Sequence, residues 1–207
     1  MNRLQESIIR WCIHKIAIHT NVKKMYNTVK LQEKDWCYQR YIWEKNLDPT
    51  KIPEEKIIKT LIYGVKSSGN QAELRETATL SRDEFPKVNN IIHKDVYVDD
   101  CITGEVCRDA ALVRSYQLEI VLNRGGFELK GVAFSGEDPP ESLSDDGACV
   151  NIAGMKWYPK DDLLSLHVGE MNFLKKHRGR RSQETSNIIP TKLTRRHCVA
   201  KVAELFD

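Results

Sequence analysis

The segment VYVDDC, residues 96–101, decides the fold that this sequence predicts. A largely apolar run from residue 91 to 98 leads into two adjacent carboxylates, and the apolar pair at 101 and 102 follows before Thr103-Gly104 indicate an end. This order predicts a strand over 91–98 and a β-hairpin with acidic residues at its tip. Because side chains alternate along a strand, Val96 and Val98 would share a face that can enter a core, while the turn would bring both acids to the same end.

The adjacent carboxylates of Asp99 and Asp100 indicate a cation site. Two carboxylates about 4 Å apart repel by roughly 4 kcal/mol at an effective dielectric of 20, so without a partner the pKa of one of them would be raised. A divalent cation removes this repulsion, and oxygen ligands without Cys or His in ligand spacing suit Mg²⁺ or Mn²⁺. A cation pair can stabilise both the attacking and the leaving oxygen of a phosphoryl transfer. An ordinary acidic turn is the alternative, because Asp is a favoured turn residue.

Length and composition indicate a globular protein of one domain, or of one domain and a fragment. Of the 207 residues, 41% are hydrophobic, which is enough for a core. No apolar run approaches the roughly 18 residues of a membrane span and no signal-peptide block is present, so we expect an intracellular protein of the cytoplasm or nucleus. The six cysteines contain no C-x-x-C pair, which argues against a zinc ribbon or a disulfide scaffold. The net charge of +3 does not by itself indicate a nucleic-acid partner.

Asn21 is the other position at which we expect a functional side chain. The pattern predicts a short strand over 16–18, a helix start at Thr20-Asn21 and a helix whose apolar residues recur at 22, 25, 26 and 29. Asn21 would then lie at the carboxyl end of a strand, where α/β proteins place functional groups. A helix N-cap is the alternative, because Asn is among the best capping residues.

The remaining patterns predict an α+β fold. Helices are expected over 1–13, 71–78 and 108–123, and strands over 57–63, 127–132, 150–157 and 163–168. The last two strands should form a second hairpin, and Thr194 should cap a C-terminal helix. The order of elements predicts an antiparallel sheet with strands near residues 16, 98 and 127, backed by helices near 26, 71 and 118, of the split β-α-β or ferredoxin-like kind.

Three segments could bind phosphates or bases, and each has a structural alternative. Residues 31–46 interleave aromatic and basic side chains, which could stack on bases and hold phosphates but also suit a half-buried strand. The small-residue loop 64–70 could bring backbone N–H groups to a ligand or be a plain turn, and it lacks the G-K-[ST] of a P-loop. The cluster KKHRGRR at 175–181 could bind a phosphate backbone or direct nuclear import, or be a solvated linker.

Taken in order, these elements resemble the palm of a retroelement reverse transcriptase, most closely the Pao/BEL type of LTR retrotransposon. YVDD at 97–100 resembles the family's Y-x-D-D hairpin, YGVKSSG at 63–69 its loop-helix beside template and nucleotide, and NVKKMY at 21–26 its first acidic motif. Three later segments resemble, in the same order, the stretch after the fourth motif, the primer-gripping hairpin and the helix that follows the palm: 126–130, 150–157 and 193–207. The likeness covers nearly the whole chain.

This resemblance implies a polymerase palm that synthesises DNA on an RNA or DNA template, with Mg²⁺ or Mn²⁺ as cofactor. Asp99 and Asp100 would bind the metal and, with Asn21, form the catalytic set. Nucleotide or template contacts are implied for Tyr26 as the steric gate under the incoming sugar, and for Tyr63, Gly64, Lys66, Ser68 and Tyr97.

The resemblance also implies partners and a division of the chain. The partners would be a template-primer and dNTP, and the RNase H and integrase domains of such a polyprotein are expected outside this sequence. Residues 1–175 would form the palm with partial fingers, and residues 176–207 a basic linker with the first helix of an incomplete following unit.

Asn21 departs from the family pattern, which has aspartate, the third metal carboxylate, at this position. An amide keeps one carbonyl oxygen but lacks the charge and the ability to bridge two cations. Losing a single preorganised donor costs roughly 10²- to 10³-fold in rate, so we expect an impaired polymerase. A noncatalytic nucleic-acid-binding remnant and a relic without a selected role are the alternatives.

Overall fold

The computed structural model describes residues 4–44, 52–62, 72–144, 146–165 and 193–195. In these residues the helices are α1 (Leu4–Ile13), α2 (Met25–Thr28), α3 (Ala72–Leu80), α4 (Pro86–Lys94) and α5 (Arg108–Arg124). The strands are β1 (Ile16–Lys23), β2 (Arg40–Trp43), β3 (Glu54–Ile57), β4 (Val96–Tyr97), β5 (Asp100–Glu105), β6 (Glu128–Phe134), β7 (Val150–Ile152), β8 (Met155–Tyr158), β9 (Leu163–Ser165) and β10 (Leu193–Thr194). A 3-10 helix spans Glu33–Tyr38. No helix in the described ranges is long and apolar enough to cross a bilayer.

A four-stranded antiparallel sheet with the order β4-β5-β1-β6 lies at the centre of the fold. β1 is an inner strand, paired with β5 from residue 16 to 21 and with β6 from residue 18 to 23. Its residues 17–20 are buried in succession, because helices cover one face of this sheet and a second sheet covers the other. The predicted α+β class with an antiparallel central sheet is therefore confirmed.

The helical face is formed mainly by α3, α4 and α5. One core cluster joins Val22 of β1 to residues of these three helices, among them Leu74, Val88 and Val121. α5 begins and ends within one residue of the predicted helix, and its buried side includes the apolar residues that the sequence placed there: Ala111, Leu118, Val121 and Leu122. Gly126, at a φ of 77°, follows the helix in the left-handed conformation that glycine adopts readily.

A second antiparallel sheet, in the order β10-β9-β8-β7, covers the other face. Trp11 of α1 meets Trp157 of β8 edge to face, with ring centroids 5.0 Å apart, in a cluster that also contains Ala17 of β1. The prediction of a single strand over 150–157 is wrong, because the chain reverses at Ala153 and Gly154, whose φ angles are 47° and 88°. A two-residue turn with glycine permits this reversal.

The predicted strand over 91–98 is also wrong in its first half. α4 continues to Lys94, and only Val96–Tyr97 is strand before the turn. Pro86 occupies the start of α4, where its missing N–H costs nothing. The buried residues of α4 are Val88, Ile91 and Ile92, a spacing that serves a helix, and a short apolar run does not by itself distinguish helix from strand.

The predicted helix start at Thr20-Asn21 is wrong because β1 continues to Lys23. Asn21 is a strand residue, so the N-cap alternative is wrong as well. Lys24 then takes a left-handed conformation with a φ of 48°, and α2 is only four residues long. Pairing with β5 and β6 on both sides satisfies the backbone of residues 20–23, and it outweighs the helical spacing of the apolar residues there.

Three further boundaries differ from expectation. β5 does not stop at Thr103-Gly104 but continues to Glu105, and Gly104 serves a close approach, since a Cβ there would lie 2.4 Å from the Cβ of His14. The predicted strand over 57–63 is replaced by β3, which ends at Ile57, and by an isolated bridge from Lys30 to Thr60. Leu193–Thr194 is β10, a strand that the sequence did not predict; Arg195 directly after it is helical, so Thr194 does precede a helix, and the predicted C-terminal helix beyond residue 195 lies outside the described residues.

β2 and β3 form a separate two-stranded sheet. The strand interpretation of residues 31–46 is confirmed for Tyr41 and Trp43, whereas Tyr38 lies in the 3-10 helix and is 83% exposed. The domain boundary predicted near residue 175 and the basic cluster at 175–181 lie outside the described residues, so both stay predictions.

Candidate functional site

The acidic tip is a two-residue connection between β4 and β5. Tyr97 and Asp100 are opposite each other in the ladder, which leaves Val98 and Asp99 as the turn. Val98 has a φ of 57°, a strained conformation for a β-branched residue. A hydrogen bond connects the turn to β1, because the Val22 N–H donates to the carbonyl oxygen of Asp99 at 2.8 Å. The predicted hairpin with acids at its tip is confirmed.

Asn21 lies directly opposite Asp100 in the pairing of β1 with β5. Its amide Nδ2 donates to Oδ1 of Asp100 at 3.1 Å. The structure thus brings together four of the predicted site residues, Asn21, Tyr97, Asp99 and Asp100, through two antiparallel ladders that share β5.

Two further groups bind the carboxylate of Asp100. The ring of His19 approaches the same Oδ1 at 3.1 Å through Nε2, and because a carboxylate only accepts, Nε2 must carry the proton of this hydrogen bond. The backbone N–H of Ala153, in the turn between β7 and β8, donates to Oδ2 at 3.2 Å. Asp100 therefore links the central sheet to the turn of the second sheet.

The ionised form of Asp100 is favoured in this environment. Burial raises the pKa of this carboxyl, but the hydrogen bond and charge interaction with His19 and the hydrogen bonds from Asn21 and Ala153 together lower it by more, so the net pKa lies below its ordinary value of 3.8. The sequence suggested a raised pKa for one acid of the pair if it lacked a partner. Asp100 has three such partners, and together they lower its pKa instead of leaving it raised.

Two buried polar atoms beside Asp100 have no hydrogen-bond partner. They are Nδ1 of His19, whose residue is 1% exposed, and Oδ1 of Asn21. A buried acceptor without a donor carries a desolvation cost that folding does not recover at that atom. These two atoms are the chemically unsatisfied part of the site.

The resident groups do not fit a divalent cation as they stand. The oxygens of Asp99, Asp100 and Asn21 are hard ligands of the kind that Mg²⁺ takes, but three N–H groups already occupy the carboxylate of Asp100. Burial also raises the pKa of the neighbouring Cys101 thiol, so that group stays protonated and adds no thiolate ligand. Across the ranges that the structure describes, no three His, Cys, Asp or Glu side chains are grouped as a metal site would require.

The other predicted site residues are either elsewhere or outside the described ranges. Tyr26 lies in α2 and is 7% exposed, in the core cluster on the helical face. Its role as a steric gate stays a prediction. Tyr63, Gly64, Lys66 and Ser68 lie outside the described residues.

Sequence reasoning missed His19 and Ala153. His19 precedes Asn21 by two residues, so a strand that reaches residue 21 places both on one face, but the strand was predicted to end at residue 18. Ala153 contributes only its backbone N–H, for which no side chain gives a signal. The glycine at 154 is the one sequence feature that indicates a turn there.

No protein-family model matches this sequence, and a comparison with curated proteins found no match.

Proposed function

We propose that this chain is the palm of a reverse transcriptase of the Pao/BEL type, with an impaired centre for nucleotidyl transfer. The observation that carries the proposal is the register that sets Asn21 opposite Asp100. The two motifs lie 79 positions apart in the chain, yet their side chains are hydrogen-bonded. A polymerase palm requires this convergence of its first motif with its Y-x-D-D hairpin.

Asn21 supports the impairment. Mg²⁺ or Mn²⁺ would supply positive charge that stabilises the oxygens of a phosphoryl transfer. In this chain the Asn21 amide donates a proton toward Asp100 instead of adding a carboxylate. An aspartate at position 21 would place a second negative charge beside Asp100, which only a cation or a proton could offset.

The proposed partners are a template-primer and dNTP, and the 3-10 helix before β2, together with Lys59 after β3, offers groups that suit them. The Lys59 ammonium lies 4.3 Å from the centre of the Trp36 ring, so a cation and an aromatic face are adjacent there. Tyr38 is largely exposed nearby in sequence. Aromatic faces stack on bases, and lysines neutralise phosphates.

Primer extension on a homopolymer template, with Mg²⁺ and then Mn²⁺, tests the proposal. We expect Asn21→Asp to extend the primer roughly 10²- to 10³-fold faster than the native chain, the cost of one preorganised group. Asn21→Asp combined with Asp99→Asn is the matched control and should return to the native level. Native extension as fast as that of Asn21→Asp, or no extension by any variant with either ion, would overturn the assignment of an impaired polymerase centre.

A noncatalytic nucleic-acid-binding remnant is the second candidate function. It is favoured by the three protein donors on Asp100, which satisfy this carboxylate without a cation. Fluorescence anisotropy of a labelled primer-template at increasing salt tests it. Lys59→Gln should lower the slope of log affinity against log salt by about one if Lys59 contacts a phosphate. Lys160→Gln is the control, because Nζ of Lys160 is already 3.0 Å from a carboxylate oxygen of Asp138.

A further inference from the structure

We propose that His19 is a positioning residue that holds the Asp100 carboxylate as an acceptor of protein hydrogen bonds and thereby keeps divalent cations from it. This inference rests on the proposed function, because it names a second residue that opposes metal binding at the same centre. The first such residue, Asn21, was expected from the sequence, whereas His19 was not.

The position of His19 follows from β1. Residues 19 and 21 lie two apart on a strand, so their side chains share the face that is directed toward the second sheet. Asn21 is opposite Asp100 in the ladder, and His19 is opposite Ile102, one diagonal away. Both side chains consequently reach the same oxygen, Oδ1, each at 3.1 Å.

The hydrogen-bonding capacity of the Asp100 carboxylate explains how His19 can exclude a cation. An ionised carboxylate has about four lone-pair sites. Donors fill two of them at Oδ1, from His19 and Asn21, and the Ala153 N–H fills one at Oδ2. A cation that approaches Oδ1 would have to displace the Nε2 proton of His19, and it would meet that proton even if residue 21 were a carboxylate.

The burial of His19 indicates that the ring is present for this bond. His19 is 1% exposed, and its other nitrogen, Nδ1, is buried without a partner. Neighbouring β1 positions on the same face include Ala17, which packs in the apolar cluster with Trp157. An apolar side chain at position 19 would avoid the cost of burying Nδ1. Within the described residues, Asp100 supplies the only hydrogen bond that the ring makes.

Two restrictions on the metal site therefore act independently. Replacing Asn21 by Asp restores a ligand but leaves the His19 proton on Oδ1. Replacing His19 by a residue that cannot donate frees one site on Oδ1 but leaves the amide of Asn21 there. The two changes together remove both donors from Oδ1 of Asp100 and place a second carboxylate beside it.

The test measures Mn²⁺ binding by electron paramagnetic resonance in the whole chain, using four proteins: native, His19→Leu, Asn21→Asp and the double variant. Removing a hydrogen-bond partner that orients a metal ligand typically lowers metal affinity by about 10- to 100-fold. His19 instead competes with the cation for Oδ1 of Asp100, so we expect a change of the opposite sign, with the double variant binding Mn²⁺ about tenfold more tightly than Asn21→Asp. Equal Mn²⁺ affinity in these two proteins would overturn the inference. Circular dichroism confirms that each variant is folded, and His19→Val replaces His19→Leu if the latter is not.

A matched control separates positioning from a general effect of altering β1. Thr20 is fully buried on the opposite face and donates to the Gly131 carbonyl oxygen. Thr20→Val combined with Asn21→Asp should weaken folding but leave Mn²⁺ affinity at the level of Asn21→Asp alone. If this control tightens Mn²⁺ binding as much as His19→Leu does, the effect is not specific to His19 and the inference fails.

Primer extension by the same proteins distinguishes this inference from the proposed function. If the double variant gains Mn²⁺ affinity but extends no primer, His19 holds Asp100 as inferred and the polymerase assignment fails. If Asn21→Asp extends primers and the addition of His19→Leu to Asn21→Asp changes neither Mn²⁺ affinity nor rate, the polymerase assignment stands and the role of His19 is refuted.

Discussion

The carboxylates of Asp95, which is buried, and Asp100, which is partly buried, lie at opposite ends of the β4–β5 hairpin and are stabilised in different ways. Asp95, just before β4, accepts from Nε of Arg10 at 3.0 Å and from the hydroxyl of Thr103 at 3.0 Å. Asp100 accepts from an imidazole, an amide and a backbone N–H, none of which carries a permanent charge. The base of the hairpin therefore has a permanent cation beside its carboxylate, whereas the tip is held by an imidazole, an amide and a backbone N–H.

This difference indicates which acid can exchange its partners. The guanidinium of Arg10 also reaches the Lys94 carbonyl oxygen and the Ser7 hydroxyl, so it fixes α1 to the end of α4 as well as to Asp95. Removing it would disrupt several elements. The donors on Asp100 are individually weaker, and each can be replaced without leaving a charge of opposite sign unpaired.

The largest effect on stability is expected at the base of the hairpin. Arg10→Leu leaves the carboxyl group of Asp95, whose residue is 8% exposed, without its cation. A fully buried pair costs about 3–5 kcal/mol when one partner is removed; we expect about 2–3 kcal/mol here because the Arg10 side chain keeps 37% of its surface in water. Urea unfolding of the native protein and of Arg10→Leu measures this difference in the free energy of unfolding.

The control for this prediction is Arg40→Leu. Arg40 pairs with Glu55 across β2 and β3, and both side chains are more than half exposed, so the expected loss is below about 1 kcal/mol. Equal losses for Arg10→Leu and Arg40→Leu would show that the Arg10–Asp95 pair stabilises the protein no more than an exposed ion pair does.

At the tip, Asp100→Asn should cost about 2 kcal/mol, since hydrogen bonds to a charged group contribute about 1.5–3 kcal/mol. The new amide would also direct its N–H groups at donors. Asp99→Asn, one residue earlier in the turn, is the matched control and should change the free energy of unfolding by no more than about 0.5 kcal/mol. The same urea titrations measure both. A larger loss at Asp99 would mean that the described donors do not stabilise the tip.

The smallest effect is a dependence on pH. Burial raises the pKa of Asp100, but the interactions with His19, Asn21 and Ala153 lower it by more, and the net pKa lies below 3.8. A group with a depressed folded-state pKa contributes stability that is complete above its unfolded pKa of about 3.9 and is lost as the pH falls through the folded pKa. The stability difference between native protein and Asp100→Asn should therefore be constant above about pH 5 and shrink below about pH 4.

Another acid with a depressed pKa does not disturb this comparison. The backbone N–H groups of Cys149 and Ala148 lower the pKa of Asp146 to about 2. Asp146 is present in both proteins, so its contribution cancels in the difference. Thermal unfolding at several pH values measures the stability difference between the native protein and Asp100→Asn. If this difference stays unchanged to the lowest pH, the stabilising hydrogen bonds are not those to the ionised Asp100 carboxylate.

Sequence patterns predicted the parts of the fold in which local and tertiary requirements agree. The range of α5 followed from an apolar spacing that the sheet then buries, and the hairpin tip followed from an apolar strand interrupted by two acids. The patterns failed where tertiary pairing decided. Residues 20–23 have helical spacing but are held as strand by two neighbouring strands, and the apolar residues at 91 and 92 suit a helix after Pro86 as well as they suit a strand.

The candidate site was predictable in its acids and in Asn21, but not in its environment. The residues that hold Asp100 come from β1 and from the turn after β7, which are 81 and 53 positions away in the chain. A side chain's hydrogen-bond partners depend on the register of the sheet, and the register depends on where each strand ends. The predicted strand ended at residue 18, five residues before the end of β1, and His19 was therefore missed.

The bond from Ala153 to Asp100 has a consequence for how this protein can change by mutation. Its donor is a main-chain N–H, so substitutions of the side chain at position 153 leave the donor in place. Proline is the exception, because it has no N–H and its ring excludes the φ of 47° found there. The link between the two sheets can therefore persist through many amino-acid replacements at position 153, while position 100 admits few.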